Sequence, residues 1–228
     1  MVNEYTVASV WQYRPCSSLT HIPLLVKKLI FVKFKVTMEM ERTRYQRFCG
    51  WLLTKVLGWT TDDGTVDEPK CIILGVPHTS IWDLPVSYLY YKSQGGDAKM
   101  MIKKEAFKWP LAPILRFFGG VPMDRQNPTA MVRSIIRHFQ EAETFHLAMC
   151  PEGTRKAVKR WKPGFHRIAT QAGVPVYLGY FNWGTKHISR GEKFTLTDDV
   201  NADIAAIRKI YKEMHLVGKH PERYDDEL

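Results

Sequence analysis

No run in this sequence approaches 18 consecutive apolar residues, so no transmembrane helix is predicted. The most apolar early segment, Leu24–Val36, is broken by Lys27, Lys28, Lys33 and Lys35, which is too charged for a signal-peptide core. Cysteine is scarce. Cys16, Cys49, Cys71 and Cys150 show no paired spacing, which argues against a zinc ribbon or a disulfide framework. Cys71 and Cys150 lie in apolar runs, as buried reduced thiols do, and point to a reducing compartment. The Gly-x-Ser-x-Gly elbow of serine hydrolases is missing, as are P-loop and dinucleotide-binding glycine patterns, so nucleotide-dependent chemistry is not indicated. There is no internal repeat, no low-complexity stretch, and no zinc-finger or RNA-binding signature.

What is present is a chain of 228 residues with 45% hydrophobic content, enough for one sizeable core. A formal net charge of +10 predicts an anionic partner, whether nucleic acid, an anionic membrane surface or a phosphorylated small molecule. Residues 1–37 show neither helical nor strand period and read as an N-terminal extension, either non-native with translation starting at Met38 or Met40, or a basic membrane-binding arm. Residues 38–62 read as an amphipathic helical segment. Tyr45, Phe48, Cys49, Leu52, Val56 and Trp59 follow helical spacing, Trp51, Leu53 and Leu57 widen the apolar face, and Arg42, Arg44, Arg47 and Lys55 form the polar side. Such a helix suits a membrane interface or the surface of its own domain.

From 63 to 228 strands and helices alternate. Strands are predicted over Lys70–Val76, Lys99–Ile102, Gly120–Met123, Phe145–Cys150 and Val174–Phe181, with a further one near Phe194–Leu196. Helices are predicted from about Thr79 to Tyr91, over Pro110–Phe118, after the Asn127-Pro128 cap, over Pro163–Ala172, and over Asn201–Val217 with Gly218 and Pro221 as the stop. The fold class expected is α/β: a single domain with a largely parallel mixed sheet flanked by helices.

Three loops carry the chemistry, each at the exit of a predicted strand. His78-Thr79-Ser80-Ile81-Trp82-Asp83 sets a carboxylate about one helical turn from an imidazole. A carboxylate on one ring nitrogen fixes the tautomer and leaves the other to take a substrate proton. The same residues would also serve as a helix-capping cluster around a core histidine. Gly119-Gly120-Val121-Pro122-Met123-Asp124-Arg125 brings a guanidinium beside a helix N-terminus, a place suited to phosphate. In Pro151-Glu152-Gly153-Thr154-Arg155, Gly153 and Thr154 offer backbone N–H groups, Arg155 a positive charge, and Glu152 a partner for an arginine or a hydroxyl. In an open α/β sheet the carboxyl ends of the strands form one rim, so these loops can converge on one cleft.

In this order, followed by Val174-Pro175-Val176, the motifs strongly resemble those of the glycerolipid acyltransferase superfamily, typified by 1-acyl-sn-glycerol-3-phosphate acyltransferase, over residues 70–185. One departure is Pro77, where many members have asparagine before the histidine. The resemblance implies an O-acyltransferase in which His78 is the general base, Asp83 orients it, and no acyl-enzyme forms. It implies acceptor and phosphate contacts from Arg125, Glu152, Gly153, Thr154 and Arg155, with Lys103 and Lys104 as further candidates. Acyl-CoA or acyl-carrier protein is the implied donor, a lysophospholipid such as 1-acyl-glycerol-3-phosphate the default acceptor, and an amino-acid-derived lysolipid the alternative. No cofactor, metal or nucleic-acid partner is expected, and the implied location is peripheral, on the cytoplasmic face of the inner membrane. A lipid or thioester hydrolase and a basic nucleic-acid-binding module are the rival readings.

Overall fold

The protein is described from a computed structural model covering residues 42–62, 64–124 and 127–224. The expected N-terminal extension and its boundary at residue 38 lie outside the described residues. In chain order the strands are β1 (Thr60–Thr61), β2 (Lys70–Leu74), β3 (Ala98–Lys103), β4 (Gly120–Met123), β5 (Phe145–Met149), β6 (Val176–Tyr177), β7 (Tyr180–Asn182), β8 (His187–Ser189) and β9 (Lys193–Phe194). The α-helices are α1 (Arg44–Trp51), α2 (Asp83–Ser93), α3 (Leu111–Phe117), α4 (Pro128–Glu141), α5 (Gly164–Ala172) and α6 (Val200–Glu213).

Six strands form the main sheet in the order β4-β3-β5-β2-β6-β9, parallel throughout except for β9 at one edge. The central strand β2 reads Lys-Cys-Ile-Ile-Leu, and its last four residues are buried, as a parallel strand covered on both faces requires. Its side chains alternate between two cores. Ile72 and Leu74 pack with Ile135 and Phe139 of α4, Phe165 and Ile168 of α5, and Ile207 and Tyr211 of α6. Cys71 and Ile73 pack with Cys49 of α1, Leu53, Val86 and Leu89 of α2, and Ile188 of β8. Helices thus cover one face, while α1, α2 and a small second sheet cover the other.

That second sheet, β1-β8-β7, is a feature the hydrophobic pattern does not anticipate. The strand expected over Val174–Phe181 splits into β6 and β7. At the break, Gly179 passes so close to β2 that a Cβ there would sit 2.5 Å from the Leu74 carbonyl oxygen. Beyond it, Tyr180 bridges Val76 and the chain enters the hairpin with β8. The last helix also ends earlier than expected, at Glu213. His215 takes a left-handed conformation with φ 48°, so Gly218 is left for another task.

Helix α1 starts on a capping box between Thr43 and Gln46 and runs into a π-helical turn, Leu52–Val56. Its inner side is Cys49 and Leu53. Phe48 and Trp51, from the expected apolar face, are 52% and 54% exposed. The helix therefore both packs on its own domain and presents an aromatic face outward.

Helices α5 and α6 are joined by a buried pair, His166 Nε2 to Asp203 Oδ2 at 2.9 Å. Thr197 donates to Asp203 through its backbone N–H (2.7 Å) and its hydroxyl (2.9 Å). Burial pushes the Asp203 carboxyl upward, but these donors prevail and hold it below the usual carboxylate value. Asp203→Ala is expected to lose about 2–3 kcal/mol in denaturant unfolding at neutral pH. A carboxyl depressed in the folded state stabilises above its unfolded value, and that stabilisation is lost as pH falls through the folded one. The gap between wild type and variant should therefore narrow on acidification.

Candidate active site

Strand β2 ends at Leu74, and Gly75, Val76 and Pro77 carry the chain over the sheet rim to His78. The His78 Nδ1 lies 3.0 Å from Asp83 Oδ2, and its side chain is 25% exposed while that of Asp83 is 3% exposed. Asp83 Oδ2 also accepts the backbone N–H groups of Thr79 (3.0 Å) and Ser80 (2.9 Å). Its other oxygen, Oδ1, accepts the indole N–H of Trp183 at 2.9 Å. The expected helix over Thr79–Tyr91 accordingly starts later, at Asp83, because this carboxylate ties the preceding turn into a loop instead of Thr79 or Ser80 capping a helix. The loop bends the imidazole back onto the carboxylate.

Adjacent strands β2 and β5 end side by side, with Leu74 opposite Met149. Their loops meet directly. The backbone N–H of His78 donates to both Glu152 oxygens, at 3.0 and 3.1 Å. Glu152 is buried, and burial raises its carboxyl to about 7 against the opposing pull of that N–H and of the imidazole. Gly153 has φ +66° and donates its N–H to the Cys150 carbonyl (3.0 Å), a left-handed turn that favours glycine. Lys162 lies over this glycine: a Cβ there would fall 2.8 Å from Lys162 Cδ and 3.2 Å from its Nζ.

For His78, burial disfavours the charged ring, but the neighbouring Cys150 and the Asp83 carboxylate outweigh it and raise the imidazole above its usual value. The arrangement is an imidazole whose Nδ1 is hydrogen-bonded to a buried carboxylate, with Cys150 beside the ring and a quarter of the side chain exposed.

The Acyltransferase family model matches residues 61–178, more than half of the chain. The chain belongs to this acyltransferase family. It is an enzyme of that class, and the α/β architecture agrees. The crystal structure of the 1-acyl-sn-glycerophosphate (LPA) acyltransferase PlsC from Thermotoga maritima superposes with a TM-score of 0.52. That likeness covers 85% of this chain and 91% of the Thermotoga chain at 19% identity, which shows a shared fold. No curated relative matches the chain by sequence.

Along the rim of the acyltransferase sheet the strand order is β4, β3, β5, β2, so roughly 14 Å separates the outermost of these four strands. Glu152 sits next to His78. Thr154 is half-buried and Arg155 exposed on the same β5 loop. Lys103 ends β3 opposite Met123 and is exposed, whereas Lys104 Nζ pairs with Asp124 Oδ2 at 2.5 Å. Arg125 lies outside the described residues. Among the described residues no group of three or more His, Cys, Asp or Glu is placed to hold a metal ion.

Two side chains beside these loops lie outside the sequence motifs. Trp183 is 100 positions from the aspartate it contacts. Lys162 belongs to the stretch Lys156–Lys162, which follows the Pro151–Arg155 motif.

Proposed function

We propose that this acyltransferase moves a fatty acyl group from acyl-CoA or acyl-carrier protein to the hydroxyl of a lysophospholipid-type acceptor, with His78 as general base. The observation that carries the reading is the 3.0 Å contact from His78 Nδ1 to a fully partnered, buried Asp83. With Nδ1 committed, Nε2 takes the acceptor's hydroxyl proton as the oxygen attacks the thioester carbonyl carbon. The tetrahedral adduct then collapses with cleavage of the C–S bond, and the imidazolium proton passes to the departing sulfur. The donor is a substrate, and this scheme draws on no further cofactor.

The acceptor's phosphate is assigned to the rim beyond Glu152, to Gly153, Thr154 and Arg155 on the β5 loop and Lys103 and Lys104 at the end of β3, with Lys162 added and Arg125 carried over from the sequence motif alone. Glu152 serves from beneath, bracing the His78 backbone. Membrane docking is assigned to an aromatic face. Phe48 and Trp51 on α1 stack at 5.9 Å, and Tyr45 bonds Tyr88, which touches Phe117 of α3. Phe117 is 60% exposed and Trp109, just before α3, 89%. Such rings suit the interface of a bilayer, as a peripheral enzyme of the cytoplasmic membrane face requires. Among the described residues no helix is long and apolar enough to cross it.

Mass spectrometry of lipid products tests the function, using purified enzyme, acyl-CoA or acyl-carrier-protein donors, and a panel of lysolipids that includes lysophosphatidate and amino-acid-derived lipids. An acylated lysophospholipid is expected. Release of free fatty acid with acceptor present would instead indicate a hydrolase. The pH dependence follows from the charge balance at the histidine. A base must be unprotonated, and a raised imidazole holds its proton to higher pH. The rate should therefore climb as pH is taken above neutral, beyond the ordinary histidine range, which a kcat/KM profile would show.

A further inference from the structure

We infer that Trp183 is a positioning residue of the His78–Asp83 dyad, held in place by the C-terminal segment Val217–Arg223. The inference rests on the general-base reading of His78. Trp183 and Val217–Arg223 lie beyond position 178, where the family match ends.

Asp83 has two carboxylate oxygens, and only Oδ2 faces the imidazole. Oδ1 is fixed by the Trp183 indole N–H. Oδ2 is held by the Thr79 and Ser80 N–H groups as well as the imidazole, and the Trp183 bond adds a hold on the far oxygen, which narrows a χ2 that is broad for aspartate. With it, the plane of the carboxylate, and so the direction of the imidazole, is set from both sides. Trp183 is itself pinned. Its ring meets Trp59 edge-on with centroids 4.9 Å apart, and its backbone N–H donates to the Val217 carbonyl at 2.8 Å.

The same C-terminal segment grips the other side of the dyad loop. Gly218 lies so close to the buried Thr79 that a Cβ would sit 2.6 Å from its methyl carbon. The His220 N–H donates to Thr79 Oγ1 (3.3 Å), and Arg223 Nη1 donates to the Thr79 carbonyl (3.4 Å). Lys219 joins the two loops, with its ammonium 4.9 Å from the Trp82 ring and 4.7 Å from the Trp183 ring. A cation over an indole face draws density from the ring and makes its N–H a better donor toward Asp83. One short segment thus closes over both the residue after the base and the tryptophan behind its partner.

The test is Trp183→Phe in the full chain, assayed with acyl donor and lysophospholipid over a range of pH. The phenyl ring keeps the packing and lacks the N–H. A group that acts only through the base leaves substrate binding alone. We expect kcat to fall about tenfold with KM unchanged, in line with other partners that orient a histidine from behind. Loss of the N–H also removes one of the donors that share the Asp83 charge with the imidazole. The rising limb of the kcat profile should therefore move up by about half a pH unit. An unchanged kcat, or a fall matched by a rise in KM with no movement of the limb, would overturn the role. If the variant does not fold, Lys219→Met alters only an exposed side chain. It should lower kcat about two- to fivefold with the limb displaced, and wild-type behaviour there would defeat the inference. His78→Ala separates the two claims, since full activity in that variant sinks the base assignment whatever Trp183 does.

Discussion

His78→Ala is expected to lower acyl transfer by about 10²- to 10⁴-fold, the range a positioned general base supplies. The fold should survive the change. The imidazole is partly exposed, and the backbone N–H of position 78 still donates to Glu152 in the variant. Substrate affinity should change little, because the phosphate contacts assigned to the rim are untouched. Steady-state kinetics with one lysophospholipid acceptor, beside a thermal melt, would separate these effects. Undiminished transfer by a folded variant would refute His78 as the base.

Asp83→Asn should be worse than its near-isosteric shape suggests. The backbone N–H groups of Thr79 and Ser80 point at Oδ2, His78 Nδ1 shares that oxygen, and the Trp183 N–H points at Oδ1. An asparagine has one acceptor oxygen and one NH₂ group, so one side of the site must set a donor against a donor. The lesser conflict turns the amide toward Trp183, at a cost of about 1–3 kcal/mol for the buried groups left unpaired. The imidazole then loses the negative charge that favours its protonated form, and transfer should drop by about 10³- to 10⁴-fold. Chemical denaturation and turnover measured on one preparation would show both losses. A variant with wild-type stability and rate would mean that Asp83 neither orients nor charges the base.

Much of this was legible along the chain. The apolar run Cys71–Leu74 is so short and uninterrupted that a buried parallel strand is its natural reading, and it lies at the centre of the sheet. Asn127-Pro128 announces the start of α4, where Asn127 Oδ1 accepts the Ala130 N–H at 3.0 Å. The pairing of His78 with Asp83 is local, and one loop brings the two together. Other features escaped because their cause is distant. The split of the strand over Val174–Phe181 follows from the close approach of Gly179 to Leu74, a contact across the sheet. Helical spacing put Phe48 and Val56 on the apolar face of the first helix without deciding what that face meets, and both are exposed. The buried positions are Cys49 and Leu53, because α1 turns that side to the second core.

By itself the sequence determined the α/β alternation, the strand exits and the chemical character of each loop, since propensity, periodicity and turn chemistry act over a few residues. Only the tertiary structure decided what those loops do to one another. It brought Glu152 under the His78 backbone, laid Lys162 over Gly153, and turned the indole of Trp183 onto the second oxygen of Asp83. The first and last of these contacts join positions 74 and 100 apart, and they follow from strand order and packing, which no short window of residues encodes.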